Sequence, residues 1–143
     1  MSAAEPERQF VDTNVLVYAH DTGAKAKTAR AQELLSALWQ SGAGCVSIQV
    51  LQEFYVTTTG KLSHRLDPES AALRVEVYSR WPLHSPDRDD LLAAIAIAKR
   101  HRLSLWDAMI LRSASRLGCR TLWTEDLKDG AVLEGIRVRN PFK

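Results

Sequence analysis

The chain has 143 residues, of which 45% are hydrophobic and 25% charged, and its formal net charge is +2. This length and composition are typical of one globular domain, and so small a net charge does not by itself indicate a nucleic-acid partner. No apolar run approaches the ~18 residues of a membrane span, and the first residues lack the basic and then apolar order of a secretory signal. We therefore expect a frayed tail over residues 1–8, a single domain over residues 9–143, a cytoplasmic location and no membrane partner.

Short apolar runs alternate with stretches of helical spacing along the chain. Five runs are predicted strands: Gln9–Asp12, Gly44–Ser47, Trp81–His84, Arg120–Thr124 and Gly135–Val138. Five stretches are predicted helices: Ala24–Gln40, Ile48–Thr58, Pro68–Ser79, Arg88–His101 and Trp106–Leu117. Because strands alternate with helices, we expect an α/β fold in which helices cover both faces of a parallel sheet. Ligands of such sheets bind outside the carboxyl ends of the strands.

The first predicted strand ends on a carboxylate. In RQFVDTNVLVYAHD, residues 8–21, Phe10 and Val11 lead directly into Asp12, and a second apolar run follows. A buried charge costs several kcal/mol unless it is solvated, hydrogen-bonded or bound to a cation. A turn capped by the side chain explains Asp12 equally well when it is taken alone. The interpretation therefore depends on the other acids.

Three further acids lie among apolar neighbours. Glu53 lies one or two turns into the second predicted helix, Asp107 interrupts LSLWDAMIL, and Asp126 follows the strand TLWT. Two of them also have purely structural explanations, because Ser104 and Asp107 have the i, i+3 spacing of a capping box and Asp126 suits a turn. Taken together, however, all four acids map to one edge of the sheet, since a helix that follows a strand begins at the carboxyl end of that strand.

Four carboxylates at one edge repel each other, and a bound divalent cation removes that penalty. Oxygen ligands without Cys or His indicate a hard cation, Mg²⁺ or Mn²⁺. One difficulty concerns the helices predicted near residues 88–101 and 106–117. If they formed a simple antiparallel hairpin, Asp107 would start at the wrong end of the sheet, so the chain must return to the carboxyl edge or the earlier helix must lie across the sheet.

Four segments, FVDTNVLVYA, SIQVLQEFY, LSLWDAMIL and TLWTEDL, resemble in order and spacing the acidic segments of the PIN-domain family, in particular the toxins of VapBC-type toxin–antitoxin pairs. The resemblance implies a Rossmann-like three-layer α/β/α sandwich with a central, mainly parallel sheet of about five strands. It also implies an endoribonuclease that requires Mg²⁺ or Mn²⁺, an RNA substrate, a small antitoxin partner and a homodimer. By this resemblance Asp12, Glu53, Asp107 and Asp126 are the catalytic, metal-binding acids. Thr13, Asn14 and Thr124 are supporting polar residues.

The ligand set suggests a division of roles. In our hypothesis Asp12 and Asp107 hold the principal metal, Glu53 orients or deprotonates the attacking water, and Asp126 holds a second ion or an outer water. Glu125 and Asp129 flank Asp126 and can replace or assist it. Candidate RNA-binding residues on segments that follow the first two strands are Lys25, Lys27, Arg30, Lys61 and Arg65.

Two alternatives to a toxin stay open at this point. A PIN-like nuclease can process RNA as housekeeping, or cut structured DNA, without any antitoxin. A non-catalytic binding module would keep the fold but is expected to lose acids, and none of the four is missing here.

Overall fold

The computed structural model describes residues 5–143 and contains a sheet of six strands. In chain order the strands are β1 (Gln9–Val11), β2 (Gly44–Ser47), β3 (Leu83–His84), β4 (Thr121–Trp123), β5 (Val132–Leu133) and β6 (Ile136–Arg139). They lie in the order β3-β2-β1-β4-β6-β5, and each neighbouring pair is parallel except β5 and β6. The predicted α/β fold with a mainly parallel sheet is confirmed, with six strands in place of about five.

The additional strand is β5, which forms a tight hairpin with β6. Glu134 and Gly135 join the two strands, and both have positive φ, 52° and 76°. Two residues with positive φ commonly connect the strands of a tight hairpin, but the dipeptides that predict such a turn from sequence are Asn-Gly and Asp-Gly. A strand of two residues is also too short to show an alternating pattern, so β5 could not be predicted from the sequence.

Six α-helices flank the sheet within residues 5–143. They are α1 (Thr13–His20), α2 (Ala26–Ser41), α3 (Ile48–Gly60), α4 (Pro68–Tyr78), α5 (Arg88–His101) and α6 (Leu105–Arg116). The last five agree with predicted helices to within two residues at each end. The start of α2 is later than predicted because Lys25 has a φ of 50°, which separates the helix from a 3₁₀ turn at Thr22–Ala24.

The sequence did not predict α1. Its residues Val15, Leu16, Val17 and Ala19 are all buried, so apolar side chains occupy consecutive positions. A helix that is covered on most sides lacks the 3.6-residue spacing by which a helix is recognised. In the sequence this segment is therefore a continuous apolar run without helical spacing.

The order of the strands divides the helices between two layers. From β1 the chain moves outward to β2 and β3, and it then crosses back to β4 on the other side of β1. Since such crossovers are right-handed, α1–α4 cover one face and α5–α6 the other. β1 therefore lies where the strand order reverses, which is the position at which sheets of this kind bind ligands.

The two helices before β4 form an antiparallel pair, and the expectation that such a pair would place Asp107 at the wrong end of the sheet is wrong, because α5 begins away from the carboxyl edge and runs toward it. Asp90, near the start of α5, contacts Arg112 and Arg116 in the second half of α6. The pair is therefore antiparallel, and the last turn of α5 leads into the first turn of α6. That first turn carries Asp107 to the carboxyl edge of the sheet.

The chain before β1 is only partly described. Residues 1–4 of the predicted tail lie outside the described residues, and residues 5–8 have no regular secondary structure. Within residues 5–143, none of the helices combines the length and the apolar character needed to cross a bilayer.

Candidate active site

Three aspartates converge at the carboxyl edge of the sheet. Asp12 follows β1 and is the N-cap of α1, Asp107 is the third residue of α6, and Asp126 lies two residues beyond Thr124 at the end of β4. One carboxylate oxygen from each lies within 4.8 Å of the other two. The structure therefore brings together three of the four acids that the sequence singled out.

Asp12 is the most enclosed of the three, with a side chain that is 6% exposed. Its Oδ1 accepts a hydrogen bond of 2.7 Å from the backbone N–H of Thr13, and its Oδ2 accepts one of 2.8 Å from the Thr124 hydroxyl. Burial raises the pKa of Asp12 to about 7; the two hydrogen bonds oppose this shift, and the charges of Asp126 and Glu53 add to it. A carboxyl group whose pKa lies near neutral pH ionises readily when a cation approaches.

Asn14 and Thr124 tie Asp12 to Asp126. The Asn14 amide Nδ2 lies 3.0 Å from Asp126 Oδ2, 3.2 Å from Thr124 Oγ1 and 3.4 Å from Asp12 Oδ2. The Thr124 hydroxyl also accepts a hydrogen bond of 3.0 Å from the backbone N–H of Asp126. The two polar side chains thus fix the positions of two carboxylates that belong to distant parts of the chain.

The third predicted supporting residue, Thr13, behaves differently. Its backbone N–H binds Asp12, but its buried hydroxyl has no hydrogen-bond partner among the described residues. Thr13 lines a cavity of about 390 Å³ beside the aspartates. An unpaired buried hydroxyl is costly, so this atom is suited to a ligand or an ordered water in that cavity.

Asp107 owes its position to a helix cap. The Ser104 hydroxyl caps α6 and accepts a hydrogen bond of 3.1 Å from the backbone N–H of Asp107. Burial raises the pKa of Asp107 above its usual range; hydrogen bonding to Ser104 opposes the shift and the charge of Asp126 reinforces it. The capping explanation is therefore correct for Ser104, and it is compatible with a place for the Asp107 carboxylate in the cluster.

Glu53 lies beside the cluster rather than in it. Its exposed side chain accepts a hydrogen bond of 2.9 Å from Gln49 Nε2, and it lines the same cavity as Thr13, Asn14 and Asp126. Gln49 also donates to the Trp106 carbonyl oxygen at 3.4 Å, so it connects Glu53 to the first turn of α6. Sequence reasoning missed Gln49, although its place four residues before Glu53 on one helix face was the available signal.

The two acids that flank Asp126 are engaged elsewhere. Glu125 accepts hydrogen bonds from the Tyr18 hydroxyl at 2.7 Å and from Lys27 Nζ at 2.9 Å. Asp129 accepts one of 2.9 Å from the backbone N–H of Asn140. Neither belongs to the group of converging carboxylates found in the described part of the chain. Asp126 is therefore the acid of this segment that faces the site.

The five basic candidates differ in how free their charges are. Lys27 pairs with Glu125 at 2.9 Å, and Arg30 Nε donates to the Pro141 carbonyl at 2.9 Å. Lys61 is the C-cap of α3 and lines a cavity of about 230 Å³ together with Glu53. Lys25 and Arg65 are exposed. Lys61 is thus the basic candidate with an observed connection to an acid of the site.

The aspartates have the chemistry of a site for a hard divalent cation. They offer oxygen atoms only, which is the preference of Mg²⁺ and Mn²⁺. Burial makes the ionised forms of Asp12 and Asp107 costly, and positive charge would remove that cost. The unpaired Thr13 hydroxyl adds a polar atom at the edge of the same cavity.

A family model described as PIN domain matches residues 10–128, a range that contains all four acids. The chain belongs to the PIN domain family. The resemblance seen in the sequence is thereby confirmed, and the fold described above is a PIN domain fold. A search of curated proteins finds no match for the chain.

Solved structures share this PIN domain fold over most of the chain. A toxin–antitoxin complex from Klebsiella pneumoniae is 21% identical, covers 93% of this chain and 97% of its own, and has a TM-score of 0.69. A DNA-bound VapBC complex from Salmonella typhimurium is 21% identical, covers 95% and 99%, and has a TM-score of 0.66. The toxin VapC20 of Mycobacterium tuberculosis, described as cleaving the sarcin–ricin loop, is 20% identical, covers 80% and 86%, and has a TM-score of 0.60. At these identities the likeness is one of fold.

Proposed function

We propose that this PIN domain is a metal-dependent endoribonuclease that hydrolyses RNA phosphodiester bonds and is the toxin of a type II toxin–antitoxin pair. The observation that carries the proposal is the convergence of Asp12, Asp107 and Asp126, with oxygen atoms within 4.8 Å of one another at the reversal point of the sheet. Carboxylates that converge in this way on a parallel sheet suit phosphoryl-transfer chemistry, because they bind divalent cations that stabilise the negative charge of a phosphate.

In this proposal Asp12 and Asp107 hold the principal Mg²⁺ or Mn²⁺ ion and Asp126 completes the site or holds a second ion. When bound, such an ion supplies Lewis acidity toward the phosphodiester and lowers the pKa of water. Asn14 and Thr124 keep the carboxylates of Asp12 and Asp126 in place, as hydrogen-bonding neighbours of metal ligands do.

Glu53 acts on the water in this proposal. It lines the same cavity as Asp126, is exposed, and accepts a hydrogen bond of 2.9 Å from Gln49. A carboxylate in that position accepts a proton from the attacking water or orients it toward phosphorus. The N-termini of α1, α3 and α6 face the same edge, and their dipoles favour the negative charge of the phosphate.

The toxin role is supported by three features. Every acid of the pattern is present, the fold extends over nearly all of the chain, and the structural neighbours include complexes described as toxin–antitoxin assemblies. RNA as substrate is supported by the neighbour described as a sarcin–ricin-loop-cleaving toxin. A small antitoxin and a homodimer are part of the proposal.

The test is incubation of purified protein with total RNA, with single-stranded DNA and with branched DNA, in Mg²⁺, Mn²⁺ or EDTA. We expect cleavage of RNA in either metal, none in EDTA, and none by Asp107→Asn with unchanged circular dichroism. Asp129→Asn is the matched control and is expected to cleave normally. RNA that stays intact under all metal conditions, or cleavage confined to DNA, would contradict the proposal; co-expression that yields a stable small partner supports the toxin role.

A further inference from the structure

One tryptophan of this protein is mostly exposed to solvent. Trp106 is 67% exposed, whereas Trp81 is 6% exposed and Trp39, at 40%, packs against the Trp81 ring with a centroid distance of 5.0 Å. Within residues 5–143 the Trp106 ring makes none of the aromatic or cation–π contacts that the other aromatic clusters make. The exposed part of this ring contributes no burial to the fold and is available to stack on a ligand.

The backbone of Trp106 is fixed to the candidate active site although its ring is free. Trp106 immediately precedes Asp107 in the first turn of α6. Its carbonyl oxygen accepts a hydrogen bond of 3.4 Å from Gln49, which holds Glu53 at 2.9 Å. Trp106 is thus next to Asp107 in the first turn of α6 and is linked through Gln49 to Glu53.

We infer that Trp106 is the base-stacking residue of this site and that its ring stacks on an unpaired base next to the phosphodiester bound at the aspartates. The inference rests on the proposed function for its substrate and adds a binding contact to it. An indole ring stacks on any base, because each base has a π face, whereas a base inside a duplex already stacks on its neighbours. Trp106 therefore selects single-stranded or looped nucleic acid.

Other exposed apolar residues do not account for this ring. Leu91, Leu92 and Ile95 are 42–50% exposed, but they lie on α5, whereas the Trp106 carbonyl oxygen accepts a hydrogen bond from Gln49, which also binds Glu53. The connection to the acids favours a nucleic-acid ligand over a protein partner. Burial of Trp106 against a protein, including a second copy of this chain, is a distinct outcome of the test.

The test measures binding in EDTA, where no cleavage interferes, with an eight-nucleotide adenylate RNA and a blunt RNA duplex of the same length. We expect the single strand to quench tryptophan fluorescence in the wild type and in Trp39→Phe, and no such quenching in Trp106→Phe. Trp106→Ala is expected to bind the single strand about 5- to 150-fold more weakly, the usual loss for one stacked base. Trp106→Phe, which keeps an aromatic face, is expected to recover part of that affinity.

With metal and a cleavable RNA, Trp106→Ala is expected to raise KM by a similar factor while kcat changes by less than about threefold. Equal quenching and equal affinity in Trp106→Ala and wild type would overturn the inference while leaving the nuclease proposal intact. So would a dimer that dissociates on Trp106→Ala, because the ring would then belong to a protein interface. If the wild type bound the single strand with Trp106-dependent quenching but cleaved no RNA, the proposed function would fail and the stacking contact would stand.

Discussion

The Asp12 carboxylate and the Thr124 hydroxyl, 112 residues apart in the chain, are joined by a hydrogen bond of 2.8 Å across the carboxyl ends of β1 and β4. Thr124 is fully buried, and its hydroxyl also receives the Asn14 amide and the Asp126 backbone N–H. One side chain thus organises two of the three converging aspartates.

Replacing Thr124 by valine keeps the shape of the side chain and removes this hydroxyl. We expect Thr124→Val to raise the Mn²⁺ concentration for half-maximal RNA cleavage by about 10- to 100-fold, as changes next to metal ligands do. Thr124→Ser is expected to behave nearly as the wild type. Thr121→Val, on the same strand, is the control and leaves the metal requirement unchanged; if Thr124→Val did the same, the organising role of Thr124 would be wrong.

Asp12 makes the stability of the metal-free protein depend on pH. Its pKa is raised by burial to about 7, so the folded protein binds one more proton than the unfolded chain between about pH 4 and pH 7. Stability therefore decreases as pH rises through this interval, by at most about 4 kcal/mol for three pKa units. Urea unfolding in EDTA at pH 5 and pH 7.5 measures this loss.

Asp12→Asn cannot ionise at this position. The variant is expected to lack this part of the pH dependence and to be more stable than the wild type at pH 7.5 in EDTA. Addition of Mn²⁺ at pH 7.5 is expected to raise the melting temperature of the wild type and not that of the variant. Identical pH profiles for the two proteins would show that Asp12 is ionised in the metal-free fold.

The segment Glu125–Asp129 allows a test of which acid serves the site. Asp126→Asn is expected to reduce RNA cleavage by at least about 100-fold, since Asp126 lies among the converging carboxylates. Asp129→Asn is expected to retain activity because Asp129 binds the Asn140 backbone instead. Equal losses in the two variants, measured as initial cleavage rates at saturating Mn²⁺, would contradict this assignment.

How far the sequence predicted the site differs among its residues. Asp12, Asp107 and Asp126 could be found because each follows or opens a predictable element, and elements of a parallel sheet meet at one edge. The structure separates Glu53 from this group by its place in the second turn of α3, where the rotation of the helix sets the direction of the side chain. The contacts of Lys27 with Glu125 and Tyr18 could not be predicted from the sequence, because they depend on how α1 packs against α2 and α1 itself was not predicted.

The fold was predictable to a similar depth. Caps such as Asp67 before Pro68, and Gly118 with its φ of 72° after α6, gave helix ends close to those observed. The buried helix α1 and the two-residue strand β5 were missed because neither shows a periodic pattern. The antiparallel packing of α5 against α6, in which α5 runs back to the carboxyl edge, depends on contacts between side chains far apart in the chain.

Asp90 supplies those contacts and is expected to matter for stability. It is 1% exposed, and its carboxylate accepts hydrogen bonds from Arg112 Nε at 2.8 Å and from the Asp87 backbone at 2.9 Å, with His84 Nε2 at 3.0 Å. Breaking a buried pair of this kind costs about 3–5 kcal/mol, so Asp90→Ala is expected to destabilise by that amount in urea unfolding. Asp89→Ala, at an exposed neighbour, is expected to change stability by less than about 0.5 kcal/mol.

The same residue predicts a loss of stability in acid. Burial alone would raise the pKa of Asp90, but its hydrogen bonds to Asp87 and Arg112, with the charge of His84, lower it below its ordinary range. The contribution of Asp90 is present above the unfolded pKa of an aspartate and disappears as pH falls toward the lower folded pKa. Between pH 5 and pH 2, the free energy of unfolding is expected to depend less on pH in Asp90→Asn than in the wild type. An equal pH dependence in the two proteins would contradict a role for ionised Asp90 in stability.

Binding of a divalent cation by the three aspartates is tested by isothermal titration of the metal-free protein with Mn²⁺ at pH 7.5. The proteins to compare are the wild type, Asp12→Asn, Asp107→Asn, Asp126→Asn and Asp129→Asn. We expect saturable binding by the wild type and by Asp129→Asn, and a loss of about tenfold or more in affinity for each of the other three variants. Wild-type protein that binds no Mn²⁺, or variants at Asp12, Asp107 and Asp126 that all bind it as tightly as the wild type, would contradict this expectation.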